Sequence, residues 1–131
     1  MNNIYITTPI YYVNDIPHVG HAYTSIACDA LSRFFRLKGQ RVFFLTGTDE
    51  HGLKIQQVTK DKDIEPQDFV DQMSANFQNL TKSLNLSNDD FIRTTSKRHT
   101  ISVRDFWSRL QNNNQIYFCL LYTSPSPRDR S

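Results

Sequence analysis

Residues 2–21 constrain this chain more than any other stretch, because a strand-forming run passes through a turn and two imidazoles straight into helical spacing. Ile4, Tyr5, Ile6, Ile10, Tyr11 and Tyr12 fill residues 2–12 with β-branched and aromatic side chains, the composition of a buried strand. Asn14, Asp15 and Pro17 supply turn chemistry. From Ala22 the period becomes helical, with Ala22, Ile26, Ala30, Phe34 and Leu37 on one face and Gly39 as the stop. His18 and His21 therefore stand where a strand hands over to a helix N-terminus. In an open α/β sheet that is where anionic ligands bind.

A second strand is expected over residues 41–46, a nearly continuous apolar run suited to burial on both faces. Strand, helix and strand within about forty residues make a βαβ unit, whose crossover is expected to be right-handed. Residues 47–52 then read as a loop at the carboxyl end of the second strand, emerging at the same sheet edge as His18 and His21. Further on, the pattern predicts a helix over 53–62 and a break before Pro66, which suits a first helical position. Phe69, Val70, Met73, Phe77, Leu80 and Leu84 give a helix with a core stripe. A loop follows over 85–90, then a short strand over 91–95. Ser96 is a candidate cap for a last helix over 97–111, with Ile101, Phe106 and Leu110 inward and Asn112–Asn114 closing it. A further strand is expected to begin at Ile116-Tyr117.

The chain has 131 residues and a net charge of +2. That length suits one domain with a real core, and that charge is no footprint for a polyanion. Two cysteines, Cys28 and Cys119, make no disulfide framework. There is neither a membrane-length apolar run nor a signal-peptide pattern, so the chain reads as cytoplasmic.

Ile10-Tyr11-Tyr12-Val13-Asn14 followed by His18-Val19-Gly20-His21 is similar to the H-x-G-H signature of class I aminoacyl-tRNA synthetases. With Leu45-Thr46-Gly47-Thr48-Asp49-Glu50-His51-Gly52 and Asp90-Phe91-Ile92-Arg93-Thr94-Thr95, the chain resembles the methionyl-tRNA synthetases in particular, in three blocks ordered over residues 4–118. The resemblance implies the N-terminal half of a Rossmann-like catalytic domain, an α/β fold with a parallel sheet and flanking helices. It implies activation of methionine by ATP, with magnesium, and transfer to tRNA, with neither DNA nor membrane as partner. It places Pro9, His18, Gly20 and His21 at ATP, and Ile10, Tyr12, Asn14 and Asp49 at methionine, with His18 and His21 catalytic.

The residue types suit those roles. Adenylate formation brings a carboxylate onto the α-phosphorus of ATP, so its demand is positioning and charge stabilisation rather than a covalent nucleophile. Imidazole N–H groups beside a helix N-terminus answer that demand. Gly20 removes a side chain where a nucleobase must lie against backbone. Asp49, at the end of a buried strand, needs a cationic partner, which a substrate ammonium supplies; its plainer reading is a turn or cap aspartate. An aliphatic wall and one phenol, Ile10 and Tyr12, suit a thioether. His18 and His21, even with His51, fall short of a metal site.

Other readings stay open. Other H-x-G-H nucleotidyltransferases make nucleotide-linked metabolites, and the 131-residue polypeptide by itself is expected to be inactive. No K-M-S-K-S-like loop occurs; Thr81-Lys82-Ser83 is the nearest match. The family's zinc-binding cysteine pairs are not carried here either. Residues 1–118 are read as the partial catalytic domain. Residues 119–131, with Thr123-Ser124-Pro125-Ser126-Pro127-Arg128, look like non-native adapter read-through.

Overall fold

The computed structural model describes residues 3–119. The elements run β1 (Asn3–Thr7), β2 (Tyr11–Tyr12), α1 (Val19–Leu37), β3 (Arg41–Asp49), α2 (Leu53–Lys62), α3 (Pro66–Ser83), β4 (Asp90–Arg93) and α4 (Lys97–Asn112). Packing divides the chain into two compact bodies, one ending at Thr100 and one starting at Ile101. The expected parallel α/β sheet lies in the first. Among the described residues, no helix is long and apolar enough to cross a membrane.

β3 is the central strand, and all its pairings are parallel. The carbonyls of Leu45 and Asp49 accept from the N–H groups of Thr8 and Val13, while those of Phe44 and Thr48 accept from Asp89 and Thr94. Alternate carbonyls point to opposite edges, so β1 and β2 follow one another along one edge and β4 takes the other.

The expected first strand is broken. Thr7 pairs with Leu45 and Tyr11 with Thr48, so four steps on one strand match three on the other. The extra residue falls within Thr8-Pro9-Ile10, where Pro9 has no N–H to give the ladder. The extra residue also switches the alternation. Ile6 and Thr8 face inward before it, Tyr11 and Val13 after it, and all four are buried. Tyr5 and Ile10, expected in the core, are 61% and 41% exposed.

β3 runs three residues further than the sequence suggested. Residues 47–49 of the expected loop are strand, paired through Gly47 to Ile92 and Thr48 to Arg93. Gly47 is what permits it: a Cβ there would lie 2.1 Å from the Ile92 carbonyl oxygen.

α1 is a helix as expected, but its apolar face is not its buried face. Ser25, Asp29 and Ser32 are buried, whereas Ile26, Phe34 and Leu37 are exposed. The inward polar groups are satisfied locally. Ser25 Oγ bonds the Tyr11 hydroxyl at 2.8 Å, Ser32 Oγ donates to the Cys28 carbonyl, and Asp29 accepts from Ser87 and Arg33. Small hydrogen-bonded side chains let the helix lie close to the sheet. Gly39, at φ +75°, ends α1: its N–H reaches the Arg36 carbonyl and that of Gln40 the Phe35 carbonyl, a Schellman closure.

α2 and α3 begin and end close to where the spacing put them, with Pro66 in the first turn of α3. Phe69, Val70 and Phe77 of α3 join Ile55, Tyr11 and Val13 in one core cluster. α1 and α3 therefore cover the same sheet face. β4 is held by Asp89, whose carboxylate takes the Phe44 N–H and the Arg36 guanidinium, both at 2.7 Å.

α4 reaches Asn112, and none of its residues is buried, so Ile101 and Phe106 do not lie inward as expected. The Ser96 hydroxyl is not its cap; it donates to the Arg93 carbonyl at 2.7 Å. In the second body, Asn114 in the left-handed conformation closes the helix, with Asn114 N–H on Gln111 and Gln115 N–H on Leu110. No strand forms at Ile116-Tyr117. The tail expected over 119–131 lies, apart from Cys119, outside the described residues.

Candidate active site

The turn into α1 is built from its two histidines. His18 is the N-cap residue, and its Nδ1 accepts the Gly20 N–H at 3.1 Å. His21, in the first turn, reaches back so that its Nδ1 accepts the His18 N–H at 3.1 Å. This is a capping box made of imidazoles. An acceptor nitrogen carries no proton, so each neutral ring holds its proton on Nε2. The cap thus fixes the tautomer and leaves an N–H donor on the far side of each ring.

Packing fixes the rings further. They stack with centroids 3.8 Å apart, and His21 meets Tyr11 and Phe77 edge-on at 4.8 and 5.1 Å. The Tyr11 hydroxyl bonds the His21 carbonyl at 3.2 Å as well as Ser25. Burial, and then the neighbouring His18, hold the His21 imidazole below its ordinary pKa, which favours the neutral ring. Gly20 has a role the sequence did not reveal: a Cβ there would stand 2.9 Å from His18 Cε1 and 3.1 Å from its Nδ1. The absent side chain makes room for the capping imidazole.

Tyr12 and Asp49 are register partners at the carboxyl ends of β2 and β3. Thr48 and Glu50 are buried on the covered side, so alternation directs Asp49 to the other face. Tyr12 is half-buried, and its hydroxyl lies 2.8 Å from where a Cβ on Gly52 would stand. Gly52, at φ +132°, both turns the chain and clears that hydroxyl. Pro9 and Ile10 occupy the bulge, and Asn14 lies exposed in the turn after β2.

Sequence reasoning gave Glu50 little weight, but the structure makes it the best-connected carboxylate at this strand end. It is 3% exposed. Arg93 grips it with two bonds, Nε to Oε1 at 2.7 Å and a terminal nitrogen to Oε2 at 3.0 Å. The Thr48 hydroxyl donates at 2.6 Å and the Thr95 hydroxyl donates as well, while the Glu50 N–H is received by Thr94 Oγ1 at 2.8 Å. Arg93 also pairs with Asp71 of α3. Burial pushes the Glu50 carboxyl up, but hydrogen bonds from Arg93, Thr48 and Thr95 outweigh it and leave the group below the usual carboxylate range. The signal in the sequence was Asp90–Thr95, whose arginine and threonines all converge here.

The structure therefore brings the predicted residues together as two pieces: the His18–Gly20–His21 turn and the Tyr12–Asp49 pair. One cleft, of about 350 Å³, lies between the end of α2 and the start of α3, lined by Thr59, Lys60 and Glu65 among others. No group of three or more His, Cys, Asp or Glu side chains is placed to hold a metal among the described residues.

Residues 4–123 match the family described as tRNA synthetases class I (M). A methionine–tRNA ligase of Rickettsia bellii is 58% identical over 116 residues, 88% of this chain and 23% of that protein. The corresponding ligase of Bacillus subtilis is 53% identical over 116 residues, covering 88% of this chain and 18% of its own length. Mycobacterium tuberculosis methionyl-tRNA synthetase, solved in complex with methionyl-adenylate, superimposes with a TM-score of 0.83 at 45% identity, over 86% of this chain and 22% of that one. The chain thus spans about a quarter or less of the length of the relatives it matches.

Proposed function

Because the chain belongs to the class I tRNA synthetases of the methionine type, we propose that its residues serve the joining of methionine to tRNA through a methionyl-adenylate made from ATP. The observation that carries this reading is the imidazole capping box. Two Nε2–H donors, fixed in tautomer by Nδ1 bonds of 3.1 Å, stand at the first turn of a nineteen-residue helix. That is a fixed, positively polarised site for phosphoryl oxygens.

In the first step a methionine carboxylate oxygen forms a bond to the α-phosphorus, and the bond from that phosphorus to the bridging oxygen breaks, its electron pair leaving with pyrophosphate. His18 and His21 donate to oxygens that gain charge on the way, and being already oriented they need no rearrangement to do so. Pro9 and Gly20 give the nucleotide a surface with little side chain. Asp49 pairs the methionine ammonium, while Ile10 and Tyr12 flank the thioether, with Asn14 supporting the turn. In the second step a tRNA hydroxyl attacks the activated carbonyl and AMP leaves. Magnesium enters with the triphosphate as part of the substrate. Zinc does not fit the described residues: Cys28 points its thiol at the Thr7 carbonyl, and no metal-holding group of His, Cys, Asp or Glu forms among them.

The test is methionine-dependent ATP–pyrophosphate exchange by the full-length protein. Exchange that requires methionine, and falls in His18→Ala and His21→Ala with more loss in kcat than rise in the KM for ATP, is the expected result. Exchange indifferent to methionine would sink the reading.

A further inference from the structure

We propose that Glu50 and Arg93 form a clamp that aims the Asp49 carboxylate, so that this ion pair governs methionine recognition without touching substrate. The inference rests on the adenylate-forming reading above and assigns a task to a pair it left unused.

Asp49 is the last residue of β3, and beyond it no strand partner fixes the backbone. Glu50 supplies the missing anchorage. Its side chain is held by Arg93 and Thr95, its N–H by Thr94, and its Oε1 additionally by Thr48. All four donors or acceptors sit on rigid elements or at their ends: Thr48 on β3, Arg93 on β4, and Thr94 and Thr95 in the turn leaving β4. His51 Nε2 lies 3.4 Å from the Thr94 carbonyl, on the same turn. The residues on either side of Asp49 are therefore pinned inward, and alternation leaves its own side chain only one direction, outward.

The clamp is also braced from a helix. Arg93 divides its guanidinium between Glu50 and Asp71, so α3 holds the fork that holds the strand end. A bidentate guanidinium fixes direction as well as distance, which an ammonium on the same stem does not. A buried carboxylate that accepts four hydrogen bonds from three side chains has no capacity left for substrate. Its chemistry is positional.

The experiment uses the full-length protein and four variants: Glu50→Gln, Arg93→Lys, Asp49→Asn and the double Asp49→Asn/Glu50→Gln. Pyrophosphate exchange gives KM for methionine and for ATP separately. A residue needed only for folding lowers the active fraction, which lowers apparent kcat and leaves both KM values where they were. The clamp predicts instead a methionine KM raised roughly tenfold in Glu50→Gln, a smaller rise in Arg93→Lys, and an ATP KM unchanged in both. It further predicts that Glu50→Gln adds nothing to the methionine KM once Asp49→Asn is present, because one acts through the other. Arg93→Lys keeps the charge and serves if Glu50→Gln folds poorly. Unchanged methionine KM in both single variants, or full additivity in the double, would overturn the clamp while leaving the enzyme reading intact. Absence of methionine-dependent exchange in the unaltered protein would overturn both.

Discussion

His21 Nδ1 accepts the backbone N–H of His18 at 3.1 Å, and the two rings stack with centroids 3.8 Å apart. One nitrogen of each imidazole is committed to the helix start, and the other faces away from it. On the proposed function, structural and chemical duties are thereby divided between two atoms of the same ring, which makes them separable by mutation.

His18→Asn tests that division. Asparagine is a strong N-cap residue, so its side-chain oxygen replaces the Nδ1 acceptor while the outward N–H is lost. The thermal midpoint is expected to hold, and pyrophosphate exchange to fall roughly 100-fold, the scale of losing one oriented donor. His18→Ala is expected to lose activity similarly and about 1 kcal/mol of stability in addition. Equal stability loss in both variants would refute the division.

The histidines also set a pH limb. His21 has a folded-state pKa below its ordinary 6.5, so the unfolded chain binds the proton more readily. Stability from this group is therefore complete above pH 6.5 and declines as pH falls from there towards the lowered folded value. Glu50, also lowered, contributes stability that is complete above its ordinary 4.5 and is lost below it. Urea unfolding across pH 8 to 3 should show two successive declines. His21→Gln should remove the upper one, and its persistence would count against this account.

Two glycines should respond differently to one added methyl group. At Gly47 the new Cβ would meet the Ile92 carbonyl at 2.1 Å, a backbone atom between two paired strands. Gly47→Ala is expected to cost about 3 kcal/mol, the upper part of the overpacking range, or to prevent folding. At Gly20 the new Cβ meets only the His18 ring, at 2.9 Å, and a ring can swing aside. Gly20→Ala should cost no more than the displaced cap, about 1 kcal/mol, and lower exchange, because the swing takes both the Nδ1 cap and the Nε2–H with it.

As an isolated polypeptide, the 131 residues are expected not to form methionyl-adenylate. His18 is exposed and Asp49 half-buried at the open ends of the sheet, so water competes for every donor that the reaction needs. The purified chain, assayed for methionine-dependent exchange against buffer, should match the blank. Exchange abolished by His18→Ala/His21→Ala would show that these residues suffice alone.

Element types and most boundaries were legible because they rest on local chemistry. Pro66 opens α3, Gly39 closes α1, and Phe69, Val70 and Phe77 keep a helical period that the core uses. The facing of α1 was not legible. Spacing identifies an apolar stripe, but Ser25 and Asp29 turned inward because Tyr11 and Ser87, fourteen and fifty-eight residues away, offered hydrogen bonds. Within the candidate site, residue type and position single out His18, His21 and Asp49 as candidates. They do not single out Glu50, since its worth depends on Arg93, 43 positions later. The carboxyl end of β3 was hidden similarly: residues 47–49 read as loop until Gly47 is seen to pack against the Ile92 backbone.

The bulge at Thr8-Pro9-Ile10 makes the first strand a two-phase ruler. Before it, even-numbered side chains such as Ile6 and Thr8 face the core; after it, odd-numbered ones such as Tyr11 and Val13 do. Loss of a single codon there would rejoin the phases with Tyr11 still opposite Thr48, and Tyr11 and Val13 would stay inside, because the step count on the two strands would then be equal. The Tyr11 hydroxyl would keep His21 and Ser25, and the aromatic edge that steadies the second imidazole would stay with it. The bulge should thus absorb the loss of one residue, whereas a frame-preserving deletion of Tyr12, just beyond it, would turn Val13 outward and do far more harm.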